Sequence, residues 1–386
     1  MRKISFVLAA AALYGCSKEP ETTRPFSANT DLETARVYTV RTLPSLGGNI
    51  SRANAINALG WEAGYSNLPG DTTRHAVLWV NDAIKDLGTF GGPNSDVAWP
   101  GINNRGQVVG FAETAVPDSL GEAWSCAAFF PTVTNLVCRG FFYENGVMTQ
   151  MPTLGGTHSF ATGVNGRGQA VGWAETTVHD PTCHAPQVLQ FRAVLWDPKS
   201  GKLRQLRPLP GDSTSAATAI NDHGQAVGIS GKCDVAVGDS SAEHSVLWEN
   251  GTVTDIGNFG GTLFNTPMDI NERGDIVGLS DFPGDTITHA FLWTRAGGIK
   301  DLGTLPGDTF SQANAINTKG QIVGISCGTT CRAFIYQNGV MTDLNTLVAP
   351  GFADQLYSAQ DITEAGVITG RVLELATGRF LAFVAK

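Results

Sequence analysis

From residue 38 onward, apolar and polar positions alternate in short runs, and the runs repeat. The clearest copy is Ile316-Asn317-Thr318-Lys319-Gly320-Gln321-Ile322-Val323-Gly324, preceded by Asp301-Leu302-Gly303-Thr304-Leu305 and followed by Arg332-Ala333-Phe334-Ile335-Tyr336. This order recurs seven times. The turn glycines Gly60, Gly106, Gly168, Gly224, Gly274, Gly320 and Gly366 are spaced by 46, 62, 56, 50, 46 and 46 residues. Period-2 alternation over four to seven residues, punctuated by Gly and Asn, predicts strands joined by tight turns. Asn followed three residues later by Gly suits a type I turn, in which the Asn side chain bonds the backbone and Gly takes positive φ. Asn145-Gly146, Asn250-Gly251 and Asn338-Gly339 predict further hairpin turns.

Each cassette therefore holds four strands. They are the Asp-Leu-Gly-Thr-Leu run, the small-residue run before the Asn-x-x-Gly turn, the run after it, and a His-Ala-Val-Leu-Trp type run such as His75 to Trp79. A four-stranded unit of this size cannot bury both faces alone, and packing copies radially around an axis solves the problem. The expectation is an all-β chain folded as a seven-bladed β-propeller of four-stranded antiparallel blades over residues 38–386. An open β-solenoid is the alternative, but the end cassettes do not look like polar caps. Neither end carries a spare strand, so the ring closes either by face packing or by one blade drawing strands from both termini.

The cassette resembles the HAF-repeat family of bacterial extracellular proteins, named for His-Ala-Phe, which stands here as His289-Ala290-Phe291. The resemblance covers all seven units. It departs where Arg replaces His at 139, 192, 332 and 379, and where Thr363 replaces the turn Asn. It implies a repeat fold and an extracytoplasmic location, and it implies no activity.

Composition adds the compartment. Residues 1–15 read as a signal peptide, with Arg2 and Lys3 followed by an apolar run too short to span a bilayer. The run ends in Leu13-Tyr14-Gly15-Cys16, which resembles a bacterial lipobox, so Cys16 is the expected lipidation site and residues 16–37 a polar linker. The chain is expected to be exported and lipid-anchored at the outer membrane or cell surface, touching the membrane only through that anchor. A net charge of −9 repels phosphate backbones, which argues against nucleic acid as a partner.

Six further cysteines in an exported chain imply disulfides. The cassette register pairs Cys126 with Cys138, Cys183 with Cys233 and Cys327 with Cys331. The competing reading is a metal site from His179, Cys183, His184 and Cys233. His75, His244 and His289 share one cassette position with the arginines, which suits a scaffold donor. Pro-Gly-Asp recurs at 69–71, 210–212, 283–285 and 306–308. Convergent aspartates there could hold Ca²⁺, although a turn bonding its own backbone explains them as well. No cofactor is otherwise expected, and no nucleophile-elbow, zinc-protease, phosphate-loop or dinucleotide motif occurs.

Strand alternation places the short turns on one rim and the long insertions on the other, at about 114–138, 176–190 and 231–243. Loops on a rigid scaffold commonly bind. Trp124, Phe129, Asp212 and Asp308 are the candidate contacts on that rim. The expectation is a non-enzymatic scaffold that binds a protein or glycan there. The alternative is a secreted propeller enzyme acting on glycan or another envelope polymer, with acid pairs assembled from distant blades. Carboxylates converging at the axis would favour the enzyme. A dry apolar axis would favour the scaffold.

Overall fold

In a computed structural model, residues 36–234 and 239–386 are described; the expected signal peptide and Cys16 lie outside them. The 28 strands pair into seven four-stranded antiparallel units. Five are separate sheets, one of which is closed by the two termini. The remaining two, Thr266–Asp301 and Phe310–Asp343, touch through a single parallel bridge from Thr288 to Phe310. The inner strands, in chain order of blades one to seven, are Ser51–Ile56, Gly91–Asp96, Gly155–Val164, Thr214–Ile220, Thr266–Ile270, Phe310–Ile316 and Gln355–Ile362. They are small-residue strands because seven of them crowd one axis, as the alanines 53, 55, 217, 219, 313 and 315 show.

The unit boundary falls one strand from its expected place. Asp86 lies on a strand that pairs with Arg74–Val80 of its own blade, and Asp255, Asp301 and Asp343 repeat this arrangement. The Asp-Leu-Gly run is thus the outer strand of the preceding blade, because the short hairpin turn before it ties it to that neighbour. Ring closure follows directly. Val40–Thr42 pairs with Arg379–Ala385, so the last blade takes its outer strand from the chain's beginning.

Two sets of side chains join blade to blade. An inner-strand serine accepts a hydrogen bond from the third strand of the preceding blade: Ala76 N–H to Ser95 (2.8 Å), Ala193 N–H to Ser215 (3.0 Å), Ala290 N–H to Ser311 (2.8 Å) and, across the seam, Ala382 N–H to Ser51 (2.9 Å). The turn asparagines form the second set. Each Oδ1 accepts two N–H groups of its own turn, as Asn317 does from Lys319 and Gln321. Each Nδ2 then donates to the turn carbonyl of the next blade. Asn57 reaches Asn103, Asn103 reaches Asn165, Asn165 reaches Asn221, Asn221 reaches Asn271, Asn271 reaches Asn317, and Asn317 reaches Thr363. The chain of links stops at Thr363, which has no amide to offer. The turn asparagine therefore does more than close its own hairpin: it clasps neighbouring blades together.

The cation position is also scaffold. His75 meets Asp86 at 2.7 Å, His244 meets Asp255 at 3.1 Å, His289 meets Asp301 at 3.0 Å and Arg332 meets Asp343 at 3.2 Å, each across two strands of one blade. Arg379 does not belong to this series. Phe383 pairs with Gly370 as Phe334 pairs with Gly324, so the equivalent of Arg332 is Leu381, and Arg379 pairs with Glu374 instead. The three disulfides join Cys126 to Cys138, Cys183 to Cys233 and Cys327 to Cys331.

Candidate functional site

The described parts of the long insertions of blades two, three and four pack into one cluster, which holds Cys126 and Phe130, Cys183, and Cys233 and Ala242. Through it runs a continuous aromatic core of Trp99, Phe111, Phe130, Phe160, Trp173 and Phe191. Phe160 stacks on Trp173 at 4.6 Å, and Trp99 meets Trp173 edge-on at 5.6 Å. Rings in these arrangements gain about 0.5–1.5 kcal/mol per pair beyond their burial. A buried polar network pins the same loops. Glu122 accepts from Val188 N–H and from the backbone N–H of Leu189, and shares the Gln187 amide with Glu175. Glu175 in turn accepts from the N–H groups of Thr157 and His158. Burial raises the Glu175 carboxyl, although the His158 charge opposes it. Burial would raise the Asp118 carboxyl, but the His158 ring 3.4 Å away and hydrogen bonds from the Leu120 and Ala123 N–H groups bring it down to about 2.

Phe129 is carried by the blade-two insertion to the axis. It lies 5.2 Å from Trp99 and 5.3 Å from Phe111, and its carbonyl accepts from Arg74. There it borders an axial cavity of about 280 Å³, near the lower end of ordinary ligand pockets (~300–1,000 Å³). The cavity has two unlike walls. One is Trp99, Phe129 and Met268; the other is Arg52, Gln312, Asn314, Ser358, Gln360 and Arg371, from blades one, six and seven.

The polar wall is basic. Arg52 and Arg371 have no ion-pair partner among the described residues, and the Nε of each is enclosed without an acceptor. Arg371 lies 5.0 Å from the Tyr357 ring centre and 4.7 Å from that of Phe380; Arg52 lies 5.3 Å from Tyr65. Burial, reinforced by repulsion from Arg52, holds Arg371 below its ordinary range, against an opposing pull from Tyr65. A third guanidinium, Arg74, is neutralised by Asp96 at 3.0 Å. Burial raises the Asp96 carboxyl despite Arg74 and Arg52. Two positive charges are thus left over on one side of the axis.

One residue further along the same inner strands stand Asp269 and Asp361. Their places in other blades hold Ala55, Gly163, Ala219 and Ala315, each of which follows the same strand bulge. Each aspartate is surrounded by protein yet keeps a part-exposed side chain. Asp269 accepts from Ile316 N–H (2.9 Å) and Ile270 N–H; Asp361 accepts from Ile56 N–H (2.7 Å) and Ile362 N–H. They link blades as well as carrying charge. Burial raises Asp269 to about 6, and burial together with the charge of Asp269 raises Asp361 to about 7. Two carboxyls on the inner strands of blades five and seven are thus raised towards neutral pH, and the charge of Asp269 contributes to the rise at Asp361.

The other sequence candidates are dispersed. Trp124 opens a one-turn helix, Trp124–Ala127, and its side chain falls outside the described residues. Asp212 accepts from the Ser230 hydroxyl, and Asp308 accepts from Ser326 and Arg332. Asp71 and Asp285 of the other Pro-Gly-Asp segments bond Asn49 and Thr262. Each of these aspartates is engaged within its own stretch of rim. Asp180, Cys183 and Cys233 lie close enough to share an ion, but the two cysteines form a disulfide, and His184 pairs with Asp234 at 3.0 Å.

No protein-family model matches the sequence, and no curated protein matches it. Solved structures do match by fold. The propeller domain of the Trilobed protease from Pyrococcus furiosus is 10% identical, with a TM-score of 0.50 over 87% of this chain and 97% of that one. The acylaminoacyl peptidase of Pyrococcus horikoshii is 9% identical, with a TM-score of 0.50 over 90% of this chain and 53% of its own. An oligogalacturonate lyase from Vibrio parahaemolyticus is 11% identical, with a TM-score of 0.45 over 91% and 97%. This chain also spans 63% of TolB from Acinetobacter baumannii, so several of these structures extend well beyond the part they share.

The fold is a β-propeller. At these identities the likeness establishes that and nothing finer. The expectation of a non-enzymatic binding or adhesion scaffold is nevertheless corrected. The chains with this fold include the propeller domain of a protease and a peptidase, and the axial cavity has a basic wall where a scaffold was expected to be dry and apolar.

Proposed function

We propose that the chain is an exported propeller enzyme that cleaves an acidic glycan of the cell envelope at its axis. The observation that carries this reading is the axial cavity, with its aromatic wall and two arginines that lack an ion-pair partner among the described residues, together with the raised carboxyls of Asp269 and Asp361 one residue along the chain from its lining residues Met268 and Gln360. Trp99 and Phe129 supply flat apolar faces for a sugar ring, and the amides of Gln312, Asn314 and Gln360 supply hydroxyl partners. Arg52 and Arg371 take a carboxylate on the substrate, as guanidinium groups do in charge-assisted bonds. Asp361 donates the proton to the leaving glycosidic oxygen, and Asp269, the more readily ionised, takes a proton from the water that attacks the anomeric carbon, so the bond is hydrolysed. The cavity's size suits one residue of a polymer rather than a long run of it. Export and the Cys16 anchor belong to the same proposal, since they would place the enzyme where such polymers lie.

The test is release of new chain ends from acidic and neutral envelope polysaccharides. Turnover is expected on uronate-containing chains only. Asp361→Asn and Asp269→Asn should each reduce kcat by about 10²–10⁴, with folding checked by the thermal midpoint. Arg52→Gln should act mainly on KM. Folded aspartate variants that turn over like wild type, or no turnover on any polymer offered, would overturn the proposal.

A further inference from the structure

Repetition makes one further site visible. In blades one, four, five and six the basic side chain at the start of the third strand meets an aspartate on the outer strand, as described for His75, His244, His289 and Arg332. In blade two the cation is Arg139, and the residue on the outer strand is Gln150, paired opposite Phe141 just as Asp343 is opposite Phe334. The charge has been kept and its partner removed. Arg139 makes no ion pair or hydrogen bond among the described residues, and its Nη1 is enclosed without an acceptor. Burial lowers its pKa; the acid that acts on it is Glu175, whose oxygens are committed to Thr157, His158 and Gln187.

Arg139 also lines a cavity of about 500 Å³ on the long-loop rim, between the blade-two insertion and the entry to blade three. Its polar lining is Arg139, Gln150, Ser119, Thr114 and Thr157; Val116 and Pro117 form an apolar edge. Every ionisable group in that lining is cationic. Burying a guanidinium with no counter-charge is unfavourable, and an anion entering the cavity supplies what the missing aspartate supplies in the sister blades. The Thr114 hydroxyl already donates to the Val137 carbonyl, which leaves the Ser119 and Thr157 hydroxyls and the Gln150 amide as the hydrogen-bond donors to it.

We infer that Arg139 and Gln150 form an oxyanion site on the rim, separate from the axis, which takes a carboxylate or sulfate group. The inference stands on the comparison between blades and not on the axial reading.

The experiment uses the folded protein with sodium glucuronate and sodium sulfate as probes, at ionic strength held constant with chloride. Binding is followed by calorimetry in the Arg52→Gln/Arg371→Gln background, so that axial binding does not contribute. At least one probe is expected to bind, and Arg139→Gln to weaken it by tenfold or more. Gln150→Asp rebuilds the ion pair of the sister blades. It should abolish probe binding while raising the thermal midpoint without ligand, an outcome that misfolding cannot mimic. Response to glucuronate assigns the site to an acidic sugar, and response to sulfate alone assigns it to a sulfate group; both support the oxyanion site. Absence of binding by either probe, or binding unchanged in both Arg139→Gln and Gln150→Asp, overturns it.

Discussion

The two rims of the propeller are built on opposite rules. On the tight-turn rim every blade but the last repeats one asparagine, and that asparagine bonds both its own turn and the next blade. On the other rim, blades two to four carry insertions, disulfides and an aromatic core, and their neighbours do not. Where the repeat is kept, side chains are spent on one another. Where it is broken, charges are left over, as at Arg52, Arg371 and Arg139. In a repeat protein the departures from the pattern are therefore better guides to chemistry than the pattern itself.

That contrast can be broken from either side. The largest effect is expected on the insertion side. Trp173→Ala removes a fully buried ring stacked on Phe160 and should cost about 3–5 kcal/mol, measured by denaturant unfolding. If the insertion-side core were incidental, the loss would be far smaller. On the tight-turn side, Asn221→Ala removes two accepted turn bonds and the link to Asn271, a loss of roughly 1–3 kcal/mol. A neutral result would mean that the clasp does not bear on stability. The missing seventh link gives the reverse test. Thr363→Asn supplies an amide facing the Asn57 turn and should stabilise the seam by about 0.5–1.5 kcal/mol, provided that the turn bond now made to the Thr363 hydroxyl is kept. Destabilisation would show that the seam has a different geometry from the other six links.

The finest test is a slope rather than an offset. Burial raises Asp269 to about 6, and raises Asp361 and Glu62 to about 7, from ordinary values near 4. A carboxyl raised by folding adds stability that is fully present below its unfolded value and is lost as pH rises through its folded one. Wild type should therefore lose these contributions between about pH 4 and pH 7. Asp361→Asn has no such charge to bury, so its thermal midpoint should gain on wild type steadily across that window. Parallel profiles would contradict the raised carboxyl.

Much of this architecture could be read from the chain. The Asn-x-x-Gly spacing counted the units, and the register of the cysteines gave all three disulfides. The partition into blades could not be settled by order alone, because a repeat of four strands can be cut at any of four points. The short Asn-Gly hairpins were the available signal, since a turn that tight binds the Asp-Leu-Gly strand to the one before it. The axis was harder to see. Asp269 and Asp361 occupy a position that elsewhere holds Ala or Gly, and only superposing the seven copies exposes an acid in a small-residue column. Arg371 lies in a second strand where Tyr65, Phe111 and Trp173 are its nearest equivalents, so nothing local marks it. From the chain alone Phe129 reads as a rim aromatic, and the fold of its insertion brings it to the axial cavity. Asp212 and Asp308 read the same way, but hydrogen bonds from Ser230, Ser326 and Arg332 engage them where they stand.

The central claim is that the working site lies at the axis, between the aromatic and basic walls. A crystal structure with a short uronate oligosaccharide tests it most directly. The account predicts a sugar ring against Trp99 or Phe129, with its carboxylate between Arg52 and Arg371 and a glycosidic oxygen directed towards Asp361. An oligosaccharide bound on the outer rim, with the axial cavity unchanged, would contradict it.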